Sequence, residues 1–152
     1  MKEFIHLHNH SEYSLLDGCA RIKNLVAKAA ESGARAVALT DHGNVYGAIK
    51  FYKECKAKHI KPIIGMEAYV TDDLTVKQRG TPRYHLILLA KDDVGFHNIM
   101  KLSSIAFVDG FYEKPRIDFE HLQQYSQGVI CLSACIAGEI PQTLLNKNYD
   151  GA

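Results

Sequence analysis

Short apolar runs alternate along this chain with stretches of helical periodicity. Runs of about four to eight apolar residues predict buried strands, whereas apolar residues recurring every three or four positions predict amphipathic helices. The predicted strands span residues 4–10, 36–40, 61–70, 84–90 and 128–133. The sequence therefore predicts five strands distributed over its whole length.

Helical spacing fills most of the segments between these strands. Residues 22–32 place Ile22, Leu25, Val26 and Ala29 on one face, and Gly33 suits the residue that ends a helix. Further helices are predicted at residues 45–58, 92–107, 119–125 and 140–145, with Ile49, Phe51 and Tyr52 as the apolar anchors of the first of these and Asp92 or Asp93 near the start of the second. Residues 72–83 and 110–118 are predicted to be irregular.

A chain in which strands alternate with helices is typical of an α/β domain with a parallel sheet. A closed (β/α) barrel needs about eight strand–helix units, and only five strands are predicted here. The hypothesis is therefore either an open sheet or the first part of a barrel whose remaining strands lie outside this sequence.

Composition and charge narrow the class of protein. A length of 152 residues with 47% hydrophobic and 23% charged residues fits one globular domain. The formal net charge of +1 lacks the basic excess of a nucleic-acid-binding surface, so any DNA contact must be local or supplied by other parts of a longer protein. Neither a signal peptide nor a membrane span is predicted, and we expect a cytoplasmic protein with reduced cysteines.

Polar residues of metal-binding types follow or flank the predicted strands. They are His8, His10 and Asp17 after the first strand, Asp41 and His42 after the second, Glu67 late in the third, His85 at the start of the fourth and Cys135 after the fifth. Because the carboxyl ends of parallel strands meet at one edge, these side chains are expected to converge. His, Asp, Glu and Cys are the ligands that zinc and manganese use, so the pattern predicts a metal site. Since His85 opens its strand, it fits this rule less well.

The motif HLHNH has the spacing that a strand requires for two ligands. Residues two apart point to the same side of a strand, so His8 and His10 can face one ion or two neighbouring ions. Leu7 and Asn9 are expected to point away from the metal.

Six segments together resemble a known family. They are HLHNHSEYSLLDG, TDHGNVYGAIKFY, KPIIGMEAYV, YHLILLA, FYEKPRID and LSACIAGEIP, and they span nearly the whole sequence. They resemble the PHP (polymerase and histidinol phosphatase) domain, in the form found at the N-terminus of bacterial DNA polymerase III alpha subunits. The resemblance implies a distorted (β/α)7 barrel with up to three divalent metals. The ligands it implies are His8, His10, Asp17, His42, Glu67, His85 and Cys135, and the Cys135 thiolate would favour zinc.

The family pattern ends with an Asp-x-His pair, and no such pair follows Cys135. The resemblance therefore implies that residues 1–152 are the N-terminal part of a PHP domain, without the last barrel strands or the polymerase region. Two further residues are candidates for the chemistry. Asp41 is expected to orient a ligand, and Arg116 either clamps a phosphate or forms a surface salt bridge.

By resemblance, the function is metal-dependent hydrolysis of a phosphate ester, which on a DNA end is 3′–5′ exonuclease proofreading. DNA, the rest of the polymerase chain and other replisome subunits are the implied partners. Two alternatives stay open: a metal site that only stabilises or docks the polymerase, and a small-molecule phosphatase of the histidinol-phosphate type. An isolated fragment is expected to be weakly active and to self-associate through an unpaired sheet edge.

Overall fold

The computed structural model describes residues 4–152, which form five helices and five strands in an α/β arrangement. The helices are α1 (Ile22–Glu31), α2 (Ala48–Ala57), α3 (Asp93–Val108), α4 (Phe119–Gln124) and α5 (Glu139–Leu145). The strands are β1 (Ala36–Leu39), β2 (Lys61–Thr71), β3 (Tyr84–Ala90), β4 (Arg116–Asp118) and β5 (Val129–Leu132). The predicted helices are confirmed to within a few residues.

The sheet is mixed, which corrects the prediction of parallel strands. Strand β2 pairs in parallel with β1 and with β4, whereas β3 runs antiparallel to both β2 and β5. The cause lies in residues 72–83, which contain no helix. Without a helical crossover, the chain leaves β2 and returns beside it in the opposite direction.

Residues 4–10 are predicted to form a strand, but in the structure they lie beside β1 without forming a regular strand. The carbonyls of His6 and Asn9 accept hydrogen bonds from the backbone N–H groups of Ala38 and Thr40. The Asn9 side chain donates a further bond to the Ala38 carbonyl. The segment is thus held along β1 by spaced bonds rather than by a continuous ladder.

Strand β4 was missed by sequence analysis, which predicted residues 110–118 to be irregular. It pairs with residues Tyr69–Thr71 of β2. Three residues are too few for a periodic pattern to emerge, so only the tertiary pairing reveals this strand.

Alternation along β2 divides the core from the functional face. Met66, Ala68 and Val70 are buried in a hydrophobic cluster that includes Ile99 and Leu102 of α3. Because successive strand residues point to opposite faces, Glu67 and Tyr69 point the other way. The apolar packing of β2 on α3 therefore determines the direction in which Glu67 faces.

Helix α2 packs through a narrower face than predicted. Phe51 is fully buried, as expected, together with Cys55. Ile49 and Tyr52 are 64% and 46% exposed, so their prediction as anchors was wrong. Residues 49, 51 and 52 cannot share one helix face at 100° per residue, whereas spacing of three or four places residues on one side.

No helix within residues 4–152 is both long and apolar enough to cross a membrane. The four cysteines are all free thiols.

Candidate metal centre

Five separate parts of the chain deliver side chains to one place. His8 and His10 come from the segment beside β1, and His42 follows β1 by three residues. Glu67 lies within β2 and forms an isolated parallel bridge with His42. The pairing of β1 with β2 thus places His42 directly beside Glu67.

The antiparallel direction of β3 explains why His85 reaches the same place. His85 pairs with Tyr69 near the carboxyl end of β2. In an antiparallel pair, the start of one strand lies beside the end of its neighbour. Strand β5 reverses direction again, so Cys135, which follows it, returns to the same edge.

Glu67 is the hub of the cluster, with a side chain only 2% exposed. Its Oε2 lies 3.1 Å from His8 Nε2, 2.8 Å from His10 Nε2 and 3.2 Å from His42 Nδ1. Its Oε1 lies 2.9 Å from His85 Nδ1. A single buried carboxylate therefore contacts four imidazoles.

Cys135 and Asp17 lie at the two sides of this hub. Cys135 Sγ is 3.9 Å from Glu67 Oε1 and 3.5 Å from His85 Nδ1. Asp17 Oδ2 is 2.7 Å from His42 Nε2, and its side chain is 64% exposed. The structure thus brings together the residues predicted as ligands, with Asp17 at the solvent side.

Burial and ion pairing shift the pKa values of these groups in opposite directions. Burial would raise the pKa of Glu67, but hydrogen bonds from His10, His85 and His8 outweigh it and hold that pKa well below its usual range. Burial would lower the pKa of His10, but the Glu67 carboxylate raises it overall. The pKa of His42 is lowered by burial, which favours the neutral imidazole that metals require.

The donor set fits divalent cations. Three groups of side chains each bring their ligand atoms within 4.8 Å of one another: His8–His10–Glu67, His10–Asp17–His42 and His42–Glu67–His85. Among residues 4–152, His42 Nδ1 is buried and has no hydrogen-bond partner, although it lies 3.2 Å from Glu67 Oε2. A buried nitrogen without a partner is costly unless its lone pair is used, and a metal ion would use it.

Asp41 is buried beneath the cluster, where it holds one of the histidines through a serine. Its carboxylate accepts hydrogen bonds from the backbone N–H and hydroxyl of Ser11, at 2.6 and 2.7 Å, and from the Ser14 hydroxyl at 2.7 Å. Ser14 Oγ lies 2.8 Å from His10 Nδ1. Because the Ser14 hydroxyl donates its proton to Asp41, His10 Nδ1 must donate a hydrogen bond to Ser14 Oγ. His10 Nε2, which faces Glu67, is then the nitrogen that would bind a metal.

The orienting role predicted for Asp41 is compatible with these hydrogen bonds, but Ser11 and Ser14 are not identified by the sequence pattern. Serine is common in loops, and nothing in its spacing marks these two. Only their hydrogen bonds across about thirty residues to Asp41 identify them.

We expect Ser14→Ala to lower metal affinity by about 10- to 100-fold, as loss of a ligand's hydrogen-bonding partner typically does. The physical reason is that His10 would lose the contact that fixes its tautomer and ring orientation. The measurement is a competition titration with a chromophoric chelator. Ser104→Ala, which removes an exposed serine bonded to its own helix, is the matched control, and equal affinities for the two variants would contradict the orienting role.

Arg116 makes neither of the contacts that its two sequence-based interpretations require. It is fully buried. Its guanidinium donates to the carbonyls of Gly110, Val76 and Leu74 at 2.9, 2.9 and 3.2 Å. It is neither a phosphate clamp nor a surface ion pair in this structure, because its donors are committed to the backbone.

Comparison with known proteins identifies the family. The family model described as "PHP domain" matches residues 6–152. The chain belongs to the PHP domain family. That match covers every residue of the candidate metal centre.

Several relatives of this PHP domain are named DNA polymerase III subunit alpha. The protein from Borreliella burgdorferi is 54% identical over 98% of this chain, and that from Aquifex aeolicus is 53% identical over 90%. The Helicobacter pylori protein is 49% identical over 97%. This chain spans only 12–13% of the length of these relatives.

A solved structure supports the fold. A candidate metal-dependent phosphoesterase from Bifidobacterium adolescentis superimposes with a TM-score of 0.52 and 20% identity, over 70% of this chain and 34% of that one.

Proposed function

We propose that this PHP domain is the metal-dependent phosphodiesterase centre of a bacterial DNA polymerase III alpha subunit, where it removes nucleotides from the 3′ end of DNA. The observation that carries the proposal is the convergence of four imidazoles on the buried Glu67 carboxylate. Relatives at about 50% identity that carry the polymerase name support the assignment to that protein. Its partners would then be DNA, the rest of the polymerase chain and other replisome subunits in the cytoplasm.

The proposed ligands are His8, His10, Asp17, His42, Glu67, His85 and Cys135, with zinc or manganese as the metal. Divalent ions held there would supply Lewis-acid chemistry for attack of water on a phosphate ester. Glu67 contributes a negative charge, because hydrogen bonds from its histidine contacts hold the carboxyl pKa below its usual range. Asp17, the most exposed of the set, lies where a substrate would enter.

Some of these residues would bind the metal directly, and others orient the ligands. Nitrogen and carboxylate donors dominate the set, and the single thiol of Cys135 favours zinc on the side near His85. Asp41 acts through Ser14 rather than on substrate. Arg116 has no part in the proposed chemistry, since its guanidinium donates to backbone carbonyls.

The experiment is a nuclease assay of the longer polymerase chain carrying His10→Ala, with degradation of a single-stranded DNA 3′ end as the readout. His10 offers its nitrogen to two of the three candidate groups, so we expect a loss of about 100-fold, at or beyond the effect of losing a ligand's supporting partner. His97→Ala, at an exposed helical histidine outside the centre, should leave the rate unchanged.

The outcome also separates the proposal from a purely structural metal site. If chelation lowers the melting temperature while His10→Ala leaves DNA degradation unchanged, the metal serves stability and the nuclease proposal fails. Turnover of histidinol phosphate by the wild-type protein would instead support a small-molecule phosphatase. Residues 1–152 alone are expected to degrade DNA only weakly.

A further inference from the structure

A second cavity adjoins the metal centre. Its volume is about 320 Å³, at the lower end of the range of roughly 300–1,000 Å³ common for small-molecule sites. Asp17, His42 and His85 line both this cavity and the candidate metal centre. A group bound in the cavity would therefore lie directly beside any phosphate held at the cluster.

Aromatic side chains dominate the outer wall of this cavity. Tyr46 and Phe107, which both line it, are 62% and 38% exposed, and their ring centroids are 6.1 Å apart. Single exposed aromatic residues are common on protein surfaces, whereas neighbouring exposed apolar side chains beside a cavity more often mark a binding site. Sequence analysis assigned no role to either residue.

On the side of the cavity nearer the metal ligands, the wall also contains an aromatic ring. The Tyr69 ring stacks on His42, with centroids 5.5 Å apart and planes inclined by 18°. Lys114 Nζ lies 5.6 Å from the centroid of the Tyr69 ring, and both residues line the cavity. The wall thus presents flat apolar rings with one exposed cation beside the cluster.

Flat rings next to a cation match the two halves of a nucleotide. Aromatic side chains bind unpaired bases of any sequence through their π faces, and lysine binds the phosphate backbone as a point charge. A sequence-independent site of this kind suits an end from which any of the four bases must be removed.

We propose that this cavity binds the terminal nucleotide of a single DNA strand, with its base against Tyr46 and Phe107 and its backbone toward Lys114. The inference rests on the proposed nuclease function and specifies where its substrate binds. It predicts that the base contributes to binding through stacking, independently of the metal ligands.

The test uses the longer polymerase chain and two oligonucleotides that differ only at the 3′ end, one with normal bases and one with abasic terminal nucleotides. For Tyr46→Ala, KM on the normal end should rise about 5- to 150-fold, the effect of losing one base–aromatic stack, while KM on the abasic end stays unchanged. Lys114→Met should instead weaken both substrates equally, because a backbone contact does not depend on the base. Tyr52→Ala, at an exposed tyrosine lining a different cavity, is the matched control.

A second measurement separates failure of this inference from failure of the proposed function. An oligonucleotide ending in 4-thiothymidine is photo-crosslinked to the polymerase, and the modified peptides are identified by mass spectrometry. Crosslinks to peptides containing Tyr46 or Phe107 without DNA degradation would retain the binding site and reject the nuclease. Degradation with the same ratio of normal to abasic ends in Tyr46→Ala and wild type would overturn the inference and retain the nuclease. Crosslinks confined to other peptides would likewise overturn it.

Discussion

Replacing Glu67 with glutamine is expected to abolish metal binding more completely than any other single change in the centre. Both carboxylate oxygens are engaged: Oε2 contacts His8, His10 and His42, and Oε1 contacts His85. Glutamine keeps the shape of the side chain but removes the negative charge and places an amide NH2 among the imidazoles. Since Glu67 belongs to two of the three candidate groups, metal affinity should fall by more than the roughly 10- to 100-fold typical of losing a supporting partner.

The measurement is metal stoichiometry per chain after dialysis, together with DNA degradation by the longer protein. Glu31→Gln removes a glutamate whose side chain is 68% exposed and pairs with Lys28 across one helical turn. This control should keep full metal content and activity. Full metal occupancy in Glu67→Gln would show that the other side chains hold the metal without Glu67 and would contradict its role as the central ligand.

Replacing Arg116 with methionine is expected to give the largest loss of stability. The fully buried guanidinium ties two segments together, since it bonds Leu74 and Val76 after β2 and Gly110 before β4. Methionine fills part of the volume but leaves three carbonyls without their donors. At about 1–3 kcal/mol for each unsatisfied buried group, loss of the two buried bonds to Gly110 and Leu74 should lower the free energy of unfolding by about 2–6 kcal/mol.

Urea denaturation followed by circular dichroism measures this loss. Arg83→Met is the matched control, because Arg83 forms a partly exposed ion pair with Glu113 and should change stability by about 1 kcal/mol or less. A phosphate-binding defect in Arg116→Met with unchanged unfolding would show that the arginine works as a phosphate clamp after all.

Sequence patterns predicted well the features that depend on neighbouring residues. The period of two in HLHNH placed His8 and His10 on one side, and both reach Glu67 Oε2. The side chain of Asn9, between them, turns instead to backbone carbonyls. The helix cap at Asp92, which accepts a hydrogen bond from the Gly95 N–H, was also within reach of local rules.

Features that depend on distant partners were beyond such rules. The convergence of side chains was anticipated from parallel strands, yet β3 is antiparallel. His85 therefore reaches the centre from the start of its strand, the position that had made it doubtful. In the same way, the composition of KPRID is compatible with an exposed arginine, and only the carbonyls around Arg116 show that it is buried.

By itself, the sequence determined the α/β class, the bounds of most helices and strands, and the set of residues with metal-binding chemistry. These depend on side-chain type and on periodicity over a few residues, which are local properties. The tertiary structure alone decided the direction of β3, the existence of β4, the Asp41–Ser14–His10 connection and the burial of Arg116. Each of these arises from hydrogen bonds or strand pairing between parts of the chain that no local pattern relates.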